Sequence, residues 1–139
     1  MTGRAPGRTL PNDKEITNEQ KEVNALKILI VEPMKAPRRA DIPHTLEAMQ
    51  QVVGGYIEAV YPFDDPVVLV CNEEGKLKGY ELNRRVPGDI IAGTFFLCAL
   101  AGEDFTDLSE ALMRKYERVF EVPQMFVRTD RGIAAINLG

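Results

Sequence analysis

The chain has 139 residues, with 17 Lys and Arg against 21 Asp and Glu for a formal net charge of −4. Hydrophobic residues make up 45% and charged residues 27%, the usage of one ordinary globular domain, which excludes collagen-like, wholly disordered and membrane-spanning chains. One His, two Cys and no Trp leave no zinc-ligand spacing, and a pI near 5.1 disfavours binding driven by nucleic-acid phosphates.

Residues 1–24 hold four apolar aliphatic residues after the start (Ala5, Leu10, Ile16, Val23), no aromatic, and balanced charge. Such a segment buries too little apolar surface to offset its ordering entropy, so a flexible N-terminal arm is expected, with a short helix around Asn18 to Val23. Residues 25–139 are expected to form a single domain. It opens with a strand over 26–32, stopped by Pro33, whose apolar centre Ile28 to Val31 suggests burial on both faces. The stretch MKAPRRADIPH that follows reads as a loop rich in Pro and charge. Leu46, Met49, Val52 and Val53 then recur at helical spacing, predicting a helix over 45–53 that ends at Gly54-Gly55.

Strands are expected over 56–61 and 67–72, the second followed by an Asn72-Glu73-Glu74-Gly75 hairpin turn. Lys76 to Leu82 would return as a weaker, exposed strand, Arg84 to Gly88 would turn, and Asp89 to Leu100 would be the most hydrophobic strand. Its neighbourhood, Ile90 to Gly102, is the longest run without charge and is shorter than the roughly 20 residues that cross a bilayer. Residues 106–120 form the clearest helix, with Leu108, Leu112, Met113, Tyr116 and Phe120 on one face and Thr106 or Asp107 as cap. A hairpin around Thr129-Asp130-Arg131-Gly132 closes the chain. The order β-α-β-β-β-β-α-β-β lacks regular βα alternation, so the class is α+β: a mostly antiparallel sheet with two helices packed on one face.

His44 is the sole imidazole and sits at a loop-to-helix junction, so a place at or near the helix N-cap is expected rather than a role as base. Gly54-Gly55 follows a helix and lacks P-loop spacing, so it reads as a helix stop. Cys71 and Cys98 read as small buried hydrophobes; no signal peptide is expected, so reduced thiols in a cytoplasmic protein are the default, and a disulfide requires the two strands to be neighbours. Glu58, Asp64, Asp65, Glu73, Glu74 and Asp89 put six carboxylates in one region. Asp64-Asp65 and Glu73-Glu74 fall at turns, where acidic residues suit exposed chain reversals. Glu58 sits in a strand between apolar or small neighbours and, if buried, needs Arg84, Arg85 or Lys76 as partner. Asn72 and Asn83 flank the weaker strand, where their amides can satisfy turn backbone.

The run VGGYIEAVYPFDDPVVLVCNEEGKLKGYELNR, joined to DIIAGTFF, is distinctive. With the KILIVEP strand, the TLEAMQQVVGGYIE helix-to-strand unit and the CNEEGKL turn, it resembles the bacterial and phage domain numbered thirty-eight forty-six among the domains of unknown function. EDFTDLSEALMRKY is similar to the longer versions found in Firmicutes, so the resemblance runs from Leu26 to at least Phe120. The connection Arg84 to Gly88 is shorter than in relatives of this type. The resemblance implies no agreed activity, catalytic residue or cofactor. It implies a setting in phages, plasmids and integrative elements, where small proteins interfere with host defence or regulate the element.

With no catalytic set, recognition is expected over catalysis: a small non-enzymatic binding protein of a phage or mobile element, an anti-defence inhibitor acting on a host protein or a small signalling nucleotide. The expected contact surface is Glu58, Asn72, Glu73, Glu74, Lys76, Asn83 and Arg84, and replacing Glu73 and Asn83 is expected to leave folding intact. Neither a metal, a cofactor nor a membrane is expected, and homo-oligomerisation stays open. Two alternatives remain: a carboxylate- or metal-dependent accessory enzyme acting on nucleotides through the carboxylates near Glu58 and Glu73, and a nucleic-acid regulator using Arg38, Arg39, Arg84 and Arg85.

Overall fold

A computed structural model describes residues 24–139; the arm expected over 1–24 and its short helix lie outside the described residues, apart from Asn24. Among the described residues are ten strands and two helices: β1 Ala25–Val31, β2 Arg38–Pro43, α1 Leu46–Val53, β3 Ile57–Val60, β4 Val68–Asn72, β5 Leu82–Val86, β6 Asp89–Ala92, β7 Phe95–Ala101, β8 Asp104–Thr106, α2 Glu110–Val119, β9 Gln124–Thr129 and β10 Gly132–Asn137. The molecule is thus sheet-rich, with two short helices.

The central sheet runs β2-β1-β7-β4-β3, with β8 also paired to β7, and every pairing is antiparallel. Apolar residues on alternate faces of β1, β4 and β7 build two separate cores. Leu26, Ile28, Ile30, Val68, Val70, Phe96 and Cys98 pack under Met49 and Val53 of α1. Leu29, Val31, Leu69, Cys71, Phe95 and Leu97 pack under Met113, Tyr116 and Phe120, with Val86 and Ile91 from the β5–β6 hairpin. The helices therefore cover opposite faces, not the one face expected. This explains why the Ile28 to Val31 run is buried throughout.

Local chemistry sets the helix ends. Thr45, next to the exposed His44, is the N-cap of α1, its hydroxyl accepting from the Ala48 N–H at 3.1 Å. Gly54 ends α1 with φ 82°, a left-handed value that a side chain would strain. Ser109, not Thr106 or Asp107, caps α2, its hydroxyl accepting from Leu112 N–H. Thr106 ends β8 instead, and the Asp107 carboxylate accepts the Lys27 N–H at 2.8 Å.

Four other expectations are corrected. Residues 38–43 form an edge strand, not a loop; its alternating exposure, with Arg38, Arg39, Asp41 and Pro43 outward, is the charge and Pro that protect sheet edges. Residues 73–79 coil as consecutive turns, with Lys78 N–H donating to Glu74 O at 2.9 Å, so no strand returns from 76 to 82 beside β4; its neighbours are β3 and β7. Residues 82–86 are a strand, and the chain reverses only at Pro87-Gly88. The expected strand 89–100 breaks at Gly93, whose φ of 81° sends β6 into a hairpin with β5 and β7 into the central sheet. The Gly93 N–H donates to Glu81 O at 2.7 Å, and a Cβ there would lie 2.7 Å from the Tyr80 ring. The closing hairpin, β9–β10, forms as expected, in register from Gln124↔Asn137 to Thr129↔Gly132.

Candidate functional site

The expected surface residues separate into two groups. Glu58, Glu73, Glu74 and Lys76 are exposed, whereas Asn72, Asn83 and Arg84 are buried at 5%, 0% and 1% exposure. The buried three hold the fold together. Asn72 Nδ2 donates to Val53 O at 3.1 Å and its Oδ1 accepts the Glu74 N–H at 2.7 Å, tying the end of α1 to the turn after β4. Asn83 and Arg84 both point inward because the β5–β6 ladder shifts register between Leu82 and Arg84. Asn83 Nδ2 donates to Val31 O and to Gly93 O, each at 2.9 Å, so it joins β1 to the break between β6 and β7. Its replacement is therefore a folding perturbation, contrary to the expectation that a Glu73 and Asn83 double variant folds normally.

Arg84 carries a charge into the core with no carboxylate against it. Its Nη1 donates to Asn83 Oδ1 at 2.8 Å, its Nη2 to Lys35 O at 2.6 Å and to Phe120 O at 2.9 Å. Phe120 is the C-cap of α2, where unpaired carbonyls concentrate about half a negative charge, so the guanidinium neutralises a helix end. Burial alone pulls its pKa below the ordinary arginine value.

Glu58 stands opposite Cys71 in the β3–β4 ladder, with its side chain exposed. Among the described residues it forms no ion pair; Arg84 is turned to the core and Lys76 holds Asp89 at 2.5 Å. Glu58, Glu73, Lys76, Leu77 and Asp89 line a notch of about 130 Å³ beside the turn. Glu74 faces Lys78 at 3.6 Å. No group of three or more His, Cys, Asp or Glu among the described residues is placed to hold a metal ion. Asp65, at the other acidic turn, binds Lys115 Nζ at 2.6 Å and the Tyr116 hydroxyl at 2.7 Å, so it anchors α2.

Cys71 and Cys98 lie on neighbouring strands but face opposite cores, which bars a disulfide between them. Burial pushes both thiols up, Cys71 to about 11 with help from the charges of Glu58 and Asp89, and Cys98 to about 12. Of the arginines considered for nucleic acid, Arg38 pairs with Glu32, Arg39 is clamped by Glu117 and Glu110, and Arg84 is buried. Arg85 is the one of the four that is both exposed and outside an ion pair among the described residues, and the four do not form a patch.

Two features escaped the sequence reading. Leu77, at the tip of the turn, is 89% exposed, an apolar side chain held out in water between Lys76 and Lys78. Next to the notch lies a larger cleft of about 840 Å³, between the β5–β6 hairpin and the closing hairpin. Gln124 fixes its two walls, its Oε1 accepting the Arg85 N–H at 2.8 Å, while Arg85 Nη2 donates to Ile133 O at 3.3 Å. No local sequence signal marks the cleft, because its Arg128 and Ile133 come from a hairpin whose place beside β5 is set by long-range contacts.

The model of the family described as "Domain of unknown function (DUF3846)" matches residues 26–121, and the chain belongs to that family. No curated protein and no solved structure matches it. The matched span includes the notch and the β5–β6 wall of the cleft; β9 and β10 lie beyond it.

Proposed function

We propose that this member of the family is a recognition protein of α+β class that binds a partner without transforming it, and that it serves a phage or other mobile element in the host cytoplasm as an anti-defence inhibitor. Its target is a host protein or a small signalling nucleotide. One observation supports the reading above the others. Side chains that packing does not require, Glu58 from β3, Glu73 and Leu77 from the turn, and Asp89 from β6, converge on the rim of a single notch. Charged side chains held in water around an exposed leucine make a rim-and-anchor surface of the sort that captures a partner. The buried polar residues nearby, Asn72, Asn83 and Arg84, are occupied with backbone and with one another.

The test is capture from a bacterial host carrying defence systems, with mass spectrometry of copurifying proteins and small molecules. The full chain is compared with a Glu73→Lys, Leu77→Asp double variant, whose changes fall at exposed positions and leave the fold intact. Loss of the copurifying species in the variant is expected. Equal capture by both proteins refutes this rim as the recognition surface.

A further inference from the structure

We infer that the cleft between the β5–β6 hairpin and the β9–β10 hairpin is a binding site for a nucleoside diphosphate. The inference rests on the recognition reading and names a ligand class for it. Its volume of about 840 Å³ falls within the range of roughly 300 to 1,000 Å³ that small-molecule sites occupy. Its lining divides chemically into two parts. Leu82, Ile90 and Ile133 supply apolar wall together with Tyr80, an aromatic ring whose place is fixed by Gly93 behind it and by its hydroxyl, which donates to Gly54 O at 3.4 Å. Arg85 and Arg128 supply cations from the two opposing hairpins.

Charge decides what enters. The remaining charged residues of the lining, Lys76 and Asp89, neutralise each other at 2.5 Å. Among the described residues neither Arg85 nor Arg128 has a carboxylate partner, although the chain as a whole is acidic at −4. Two guanidinium groups without counterions in one concavity are matched by two adjacent phosphates, because each planar fork can accept one phosphate in a two-pronged contact. The apolar wall and Tyr80 then suit a planar base, which stacks on aromatic rings at little cost in specificity. A long polyanion is a poorer match. The surrounding net negative charge repels a duplex or single strand, whereas a small anion reaches the local positive site. One wall lies inside the span matched to the family and the other beyond it.

The test is isothermal titration calorimetry of the full chain with adenosine diphosphate, guanosine diphosphate, inorganic pyrophosphate and a single-stranded DNA oligonucleotide. One-to-one binding of at least one of the two nucleotides is expected, with pyrophosphate weaker by about tenfold or more because it lacks a base to stack. Arg128→Gln and Arg85→Gln are each expected to weaken nucleotide binding by about tenfold or more, the effect of one lost charge-assisted contact, with unchanged far-ultraviolet circular dichroism. The Arg128 side chain makes no hydrogen bond or ion pair with the described residues, so its variant separates ligand loss from misfolding even if Arg85→Gln loosens the hairpin. Absence of binding by both nucleotides, equal binding of pyrophosphate, tighter binding of the oligonucleotide, or indifference to Arg128→Gln overturns the inference. Failure here together with rim-dependent capture of a host protein leaves the recognition reading intact. Binding accompanied by phosphate release overturns that reading and keeps the site.

Discussion

Arg84→Lys keeps the positive charge of the buried staple and removes its shape. The guanidinium offers five N–H donors in a fixed fork, and all serve backbone or amide oxygens of Phe120, Lys35 and Asn83. An ammonium has three donors on one nitrogen and cannot reach the C-cap of α2, the β1–β2 loop and Asn83 together. At least two contacts are lost, each charge-assisted and worth about 1.5 kcal/mol at the low end, so the variant loses about 3 kcal/mol. No relief from desolvation offsets this, because the buried charge remains. For a domain of this size that corresponds to a fall in Tm of about 12 °C. Urea unfolding followed by far-ultraviolet circular dichroism measures it, since the chain has no Trp to report by fluorescence. A loss below about 0.5 kcal/mol, within the scatter of ordinary surface substitutions, refutes the claim that fork geometry holds these three segments.

Two further outcomes follow from the titrating groups. Hydrogen bonds from Lys115 and then Tyr116 hold the Asp65 carboxyl below its ordinary value, so its contribution is complete above the unfolded carboxylate pKa of about 4 and is lost as pH falls through the folded value. Asp65→Asn should lower Tm at neutral pH and flatten its decline in acid, and parallel melting curves for the two proteins would contradict this. Burial holds both thiols protonated at neutral pH, so Ellman's reagent should find no reactive thiol in the native protein and both Cys71 and Cys98 after unfolding in urea. Rapid reaction of either thiol before unfolding would show that the corresponding core opens.

The elements with a strong period were legible in the sequence. The apolar stripes of α1 and α2 and the β-rich runs of β1, β3 and β4 all stand close to where pattern placed them. What failed were the places where one residue redirects the chain. Gly93 divides an apolar run that reads as one strand, and the register shift at Asn83 turns two adjacent polar residues inward, against the alternation that a regular strand imposes. Polar identity marked Asn72, Asn83 and Arg84 as surface candidates; their role as internal fasteners depends on partners 19, 52 and 36 residues away in the chain, which no local pattern carries. The exposure of Glu73 and Glu74 was legible because turn chemistry predicts it directly, whereas that of Glu58, on a strand, depends on which face of β3 meets the core. The cleft was not legible, because its walls come from hairpins that are distant in sequence.

Phosphorus nuclear magnetic resonance of whichever nucleoside diphosphate binds, mixed with a stoichiometric amount of the full chain and Mg²⁺ and followed over hours, tests recognition without turnover in one sample. The account predicts shifted or broadened α and β phosphate signals whose total intensity stays constant. A growing signal of inorganic phosphate, or spectra identical to those of the free nucleotides, would contradict it.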